Sequence, residues 1–85
     1  MRALIFTKEE CPYCVKAKDL LKERGVLAIE RKLDVDFTRE TLSDKLTREN
    51  VNFSRLSVPQ IWIDGEYVGG FDRLEQFFES ADGDK

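Results

Sequence analysis

A four-residue apolar run, Ala3-Leu4-Ile5-Phe6, gives way to polar residues and then to Cys11-Pro12, after which apolar residues recur at helical spacing. A short apolar run bounded by polar residues is the mark of a buried strand, so Arg2 to Thr7 is expected to be one. Tyr13, Ala17, Leu20 and Leu21 then form the apolar stripe of an amphipathic helix. Pro12 suits its first turn, where a missing N–H is no loss, and Gly25 suits the C′ position that stops it. Thr7 and Glu10 have the spacing of a capping box, which would begin the helix earlier. The later start is preferred because it leaves Pro12 one residue inside the helix rather than a turn deep. A strand feeding directly into a helix commits the chain to an alternating α/β layout.

The remaining segments continue that alternation. Ala28 to Val35 reads as a second, partly exposed strand with Ile29, Leu33 and Val35 at even steps. Thr38 is the expected N-cap of a helix through about Glu49, anchored by Leu42 and Leu46. Val58 to Ile63 is strand-like, and Asp64-Gly65 is a two-residue hairpin signal leading into Glu66-Tyr67-Val68. Phe71, Leu74, Phe77 and Phe78 mark a last helix, with Phe71, Phe77 and Phe78 read as core. Alternation puts Trp62 on the face opposite Ile61 and Ile63. The expected order is β-α-β-α-β-β-α, a four-stranded mixed sheet flanked by three helices, with one antiparallel edge supplied by the hairpin. The 85 residues are expected to form a single domain spanning 1–85, ending in a polar tail over about 80–85 that frays.

Composition narrows the function. Fourteen basic residues against seventeen acidic ones, net −3, lack the basic excess of a nucleic-acid binder. The longest apolar run falls far short of the ~20 residues of a membrane span, so no membrane partner is expected and the cytoplasm is the expected compartment. Histidine is absent, which removes the commonest general base and the commonest zinc ligand together. The chemistry therefore falls to the two cysteines.

Cys11-Pro12-Tyr13-Cys14 lies between a strand and the helix it feeds. Unpaired backbone N–H groups and the helix dipole favour an anion there, so the Cys11 thiolate is expected to be stabilised. Thiols so placed have pKa values lowered from ~8.5 to about 3.5–7.5. Three residues along, Cys14 carries its sulfur on the same face, at a Cα separation of roughly 5–5.5 Å that a disulfide can span. Cys11 is then expected to attack and Cys14 to resolve. Lys8 and Lys16 add positive field while Glu9 and Glu10 oppose it. A purely structural disulfide fits less well, because so short a loop removes little chain entropy. Half a zinc site fits less well too, since two thiols leave the metal two ligands short; no metal is expected.

Two further features complete the pattern. Pro59 inside a strand-like run marks either an edge-strand start or a cis peptide at Val58-Pro59, which would turn the Val58 backbone groups outward toward an extended peptide. Gly69-Gly70 ahead of a helix permits close backbone approach, leaving the N–H groups of Phe71 and Asp72 open to a carboxylate, although such a pair is often only a turn.

Taken together, Lys8 to Cys14, Val58 to Gly65 and Val68-Gly69-Gly70-Phe71-Asp72 resemble a glutaredoxin, in order and over nearly the whole chain. The resemblance implies the thioredoxin fold and a cis Val58-Pro59 bond. It implies that Cys11 is the nucleophile and Cys14 the resolving thiol, with glutathione as cosubstrate. Glutathione would pair its cysteine with the backbone of Val58, before Pro59, and rest its γ-glutamyl end on Gly70, Phe71 and Asp72. Lys8 matches the residue that reaches the glycyl carboxylate, with Arg55 a second candidate, and Tyr13 matches the aromatic lining the groove. Ser57 stands where the family usually has threonine, Arg73 follows Asp72, and the stretch 50–54 is longer than usual. Gly69-Gly70-Phe71-Asp72 also resembles phage-type glutaredoxins and glutaredoxin-like electron donors to ribonucleotide reductase. The implied activity is reduction of protein disulfides and glutathione mixed disulfides by a monomer, with ribonucleotide reductase as a client by analogy. Two alternatives stand beside it: a carrier fed by thioredoxin reductase, and a dimeric iron–sulfur cluster carrier bridged by Cys11 and glutathione, against which Pro12 argues.

Overall fold

The apolar run near the start becomes the strand on which the other elements are built. In the computed structural model, which describes residues 1–83 and side chains through residue 80, β1 (Arg2–Thr7) runs parallel to β2 (Leu27–Lys32). On its other side it runs antiparallel to β3 (Gln60–Ile63), and β4 (Glu66–Gly69) completes the order β2-β1-β3-β4. Helices α1 (Pro12–Glu23), α2 (Arg39–Arg48) and α3 (Phe71–Gly83) give the element order expected from the periodicities. This is the four-stranded mixed sheet with three helices of the thioredoxin-like fold.

Strand alternation divides the core in two. Ala3, Ile5, Ile61 and Ile63 face Ala17 and Leu21 of α1 and Leu74 and Phe78 of α3. Phe6 and Trp62 face the other way, against Phe37 and against Leu42 and Leu46 of α2. Trp62 thus sits opposite Ile61 and Ile63, as the alternation predicts. Its indole N–H donates to Glu49 Oε1 at 2.7 Å, and Lys45 lies over the ring at 4.6 Å while pairing with Glu49 at 2.9 Å. The indole hydrogen bond, then Lys45, holds the Glu49 carboxyl below its usual pKa.

The helix ends follow local chemistry. α1 starts at Pro12 with Cys11 as N-cap, so the Thr7–Glu10 spacing caps nothing. It ends in a Schellman motif, with Val26 N–H bonded to Leu21 O and Gly25 N–H to Lys22 O. α2 begins at the expected N-cap, where Thr38 and Thr41 cap each other reciprocally. It ends on Asn50 in the left-handed region at φ 59°, with Val51 N–H returning to Leu46 O and the Val51 side chain packing on the α2 cluster.

Three boundaries differ from the sequence reading. β2 stops at Lys32, not Val35, because Asp36 captures the Lys32 N–H through its carboxylate (2.9 Å) while its own N–H bonds Lys32 O (2.8 Å). That turn swings Phe37 into the core and leaves Val35 exposed. β3 begins at Gln60, so Val58 and Pro59 belong to the loop before it. α3 runs on to Gly83, and the end of the tail expected to fray, residues 84 and 85, lies outside the described residues. The hairpin is as expected: Asp64 (φ 51°) and Gly65 (φ 85°) both take the positive φ of a type I′ turn.

Leu21 and Leu42 are each at most 1% exposed, one in each half of the core. Truncating either to alanine should cost about 2–5 kcal/mol in urea unfolding. Leu27→Ser, at a position 73% exposed, should change stability by no more than about 0.5 kcal/mol.

Candidate active site

The cysteine pair sits where β1 hands over to α1. Glu10, at φ 51°, turns the chain so that Cys11 caps the helix: its sulfur accepts the Cys14 N–H at 3.2 Å, and its carbonyl accepts the Val15 N–H at 3.2 Å. Cys11 and Cys14 are joined as a disulfide with a Cα separation of 5.2 Å, inside the range expected from helical rise. Cys11 is 8% exposed and Cys14 2%, so Cys11 is the more exposed residue of the pair.

The antiparallel register of β1 with β3 brings the loop before β3 alongside this turn. The Val58 carbonyl oxygen lies 4.0 Å from Cys11 Sγ, and the Val58–Pro59 peptide is cis. Gln60, 7% exposed, holds that loop from behind. Its Nε2 donates to Ser57 O at 3.0 Å, and its Oε1 accepts the Tyr67 hydroxyl at 2.6 Å. Burial raises the Tyr67 pKa, keeping it a phenol that can donate.

Tyr13, Val58, Pro59, Gly70, Phe71 and Asp72 line one open groove beside Cys11. The Tyr13 and Phe71 rings form a tilted pair, centroids 5.9 Å apart, on its wall. The glycine pair divides its work. Gly69, at φ 125°, has no room for a side chain, since a Cβ would come within 2.9 Å of Arg73 Cγ. Gly70 stands against the Pro59 carbonyl and opens α3, accepting the Leu74 N–H at 3.0 Å. Lys8 lies on the other side of Val58, in a crevice shared with Arg39 and Leu56. Arg55 is not among the residues lining the groove or that crevice.

Six of the flanking residues named from sequence, Tyr13, Val58, Pro59, Gly70, Phe71 and Asp72, line this groove, and Lys8 lies across Val58 from it; Arg39 and Gln60 are placed beside them without having been named. Arg39 reaches the site because α2 begins there, a matter of tertiary packing. Gln60 did carry a signal, a polar residue inside a strand-like apolar run.

On the opposite side of the disulfide, a second crevice is lined by Cys11, Cys14, Lys18, Glu30 and Lys32 among others. The buried Thr7 hydroxyl donates to Glu30 Oε2 at 2.6 Å, and Lys18 Nζ bonds both Glu30 oxygens at 3.2 and 3.3 Å. The Thr7 hydrogen bond, aided by Lys18 and Lys32 and opposed by partial burial, holds the Glu30 carboxyl below its usual pKa of 4.5. Among the described residues no group of three or more Cys, His, Asp or Glu is placed to hold a metal ion, and no helix is long and apolar enough to cross a membrane.

A thioredoxin-like sheet with a Cys-x-x-Cys disulfide at the head of its first helix defines a thiol–disulfide oxidoreductase. The glutaredoxin family model matches residues 3–68. Glutaredoxin 3 of Escherichia coli K12 is 41% identical over 70 residues, 82% of this chain and 77% of that one. A hybrid peroxiredoxin, hyPrx5, of Haemophilus influenzae is 39% identical over 74 residues, 87% of this chain but only 28% of that far longer protein. Glutaredoxin 1 of Francisella tularensis, solved as a cacodylate complex, superposes with a TM-score of 0.78 at 32% identity, covering 96% of each chain. The chain belongs to the glutaredoxin family.

The Glu30 shift has a stability consequence. Its folded pKa lies below its unfolded value, so the stabilisation is present above pH 4.5 and is lost as pH falls through the lowered value. Urea midpoints of wild type and Glu30→Gln, measured across the acid range, should converge as pH drops below 4.5.

Proposed function

We propose that this glutaredoxin is a glutathione-dependent enzyme that reduces glutathione mixed disulfides and protein disulfides. The observation that carries the proposal is the groove beside Cys11. It joins an aromatic wall, the Val58 backbone and the start of α3, with a lysine on the far side of Val58. Such a groove matches an extended tripeptide with a carboxylate at each end. The cysteine of glutathione would pair with the Val58 backbone. Its γ-glutamyl carboxylate would meet the N–H groups at the head of α3, where the helix dipole favours an anion. Asp72 would take the adjoining ammonium. Lys8, with Arg39 beside it, would meet the glycyl carboxylate; Arg55 is the more distant candidate for that charge.

In the mechanism proposed, the Cys11 thiolate attacks the glutathione sulfur of a mixed disulfide, and the protein thiolate leaves. The N–H of Cys14, which bonds Cys11 Sγ at 3.2 Å, supports the negative charge on the attacking sulfur. A second glutathione thiolate then attacks the glutathione sulfur, releasing glutathione disulfide and restoring the Cys11 thiolate. With a protein disulfide as substrate, Cys14 instead attacks Cys11 Sγ and expels the client thiolate. Ribonucleotide reductase is a client of suitable chemistry, reached by analogy, and the enzyme is proposed to act as a cytoplasmic monomer.

Glutathione-dependent turnover of a glutathionylated peptide tests the reading. Cys11→Ser should abolish it and Cys14→Ser should retain it. Lys8→Ala and Asp72→Ala should each raise the KM for glutathione by about tenfold or more, the loss of one charge-assisted hydrogen bond. A wild type inert with glutathione but reduced by thioredoxin reductase would overturn the proposal in favour of a reductase-fed carrier.

A further inference from the structure

The crevice behind the disulfide shares no lining residue with the groove of Tyr13, Val58 and Phe71, and the mechanism above gives its Lys18–Glu30 pair no role. We propose that the Lys18–Glu30 pair sets how readily Cys14 gives up its proton, making the two side chains positioning residues for the second, intramolecular step. The inference rests on the reading of Cys14 as the resolving thiol.

Geometry comes first. Lys18 stands four residues beyond Cys14 on α1, and residues so spaced share a helix face. Lys18, Glu30 and both cysteines line the same crevice. The carboxylate is fixed rather than loose: Lys18 Nζ grips both its oxygens at 3.2 and 3.3 Å, and Thr7, 1% exposed, donates to it at 2.6 Å. With side chains 40% and 32% exposed, the ion pair is screened by solvent and its cohesive value is small.

Charge balance comes second. The other charged groups on this crevice are Lys8, Glu9 and Glu10 from the β1–α1 loop and Lys32 from β2, with Lys32 bonded to Glu9 at 3.3 Å. Three lysines therefore face three glutamates: Lys8, Lys18 and Lys32 against Glu9, Glu10 and Glu30. Removing either member of the Lys18–Glu30 pair leaves an uncompensated unit charge close to Cys14. A nearby cation favours a thiolate and a nearby carboxylate disfavours it, so the two removals act with opposite sign.

The step itself is balanced. Cys14 loses its proton to water in the crevice and its thiolate attacks Cys11 Sγ. The Cys11–Cys14 bond forms as the bond from Cys11 to the outgoing sulfur breaks, and that sulfur leaves with the electron pair.

The test uses the full reduced chain and the aromatic disulfide dithiobis-nitrobenzoate, which releases a coloured thiolate at each step. Attack by Cys11 gives the first phase, closure by Cys14 the second. Near neutral pH, Lys18→Met should slow the second phase and Glu30→Gln should speed it, each by about three- to tenfold for a unit charge at this range. The midpoint of the second phase against pH should rise in Lys18→Met and fall in Glu30→Gln. Lys18→Arg should keep the wild-type rate, and the double variant Lys18→Met/Glu30→Gln should return to within about twofold of it, as charge restoration requires. Rates that move in the same direction in both single variants, or that do not move, would overturn the proposal. So would a second phase that persists in Cys14→Ser. Glutathione takes no part in the assay, so failure of peptide deglutathionylation would leave this result standing.

Discussion

Strand β1 is bonded along both edges, and the rest of the molecule follows from that constraint. With β2 on one side and β3 on the other, its side chains can go only up or down, and each direction is filled by a different core. Ile5 is fully buried among α1 and α3, while its neighbour Phe6 is buried against Phe37 and Trp62. A one-residue slip would exchange these two sets and bury neither properly, so the register is strongly specified. The same register, pairing Phe6 with Gln60, lays the loop that precedes β3 beside the turn that follows β1. Cys11 and Val58 are neighbours for this reason, although 47 positions separate them in sequence.

Wherever local chemistry decides the structure, it was legible in the sequence. β1, the Pro12 helix start, the Thr38 cap and the Asp64-Gly65 turn each carry their signal within a few residues, and all lie where those residues indicated. The end of β2 misled because Leu33 and Val35 keep the spacing of a strand while Asp36 reaches back to Lys32 and ends it. α2 ends where the sequence indicates, at about Glu49, but by way of Asn50 in a conformation usually given to glycine, which no local signal marked. Around the site, the cysteine motif, the proline loop and the glycine pair were readable as separate motifs, and their meeting in one groove could be reached only through the family resemblance. Arg39 and the Lys18–Glu30 pair belong to no motif. They arrive by packing, α2 swinging one cation toward Lys8 and β2 presenting a carboxylate to α1.

Two polar assemblies flank the disulfide and differ in kind. On the groove side, Tyr67, Gln60 and Ser57 form a neutral chain of hydrogen bonds that holds the backbone before Val58. Behind Cys14 the Thr7–Glu30–Lys18 assembly is charged. Among the described residues no buried side-chain nitrogen or oxygen lacks a partner, so both assemblies are complete and neither weakens the fold around the sulfurs. A neutral scaffold fixes the shape of the groove without shifting proton affinities beside it. A charged one alters proton affinity at a distance, and it lines the same crevice as Cys14.

The hairpin tip carries a last consequence. Arg2 N–H donates to the Asp64 carboxylate at 2.9 Å, and Asp64 N–H donates to Arg2 O at 2.8 Å, tying the start of β1 to the β3–β4 turn. The strand then runs away from that tie for six residues, roughly 20 Å, before reaching the cysteine turn. A polypeptide joined ahead of Met1 would therefore emerge at the pole remote from Cys11. Covalent attachment to another module at that end and access of a partner to the sulfurs make no competing demands on the same surface.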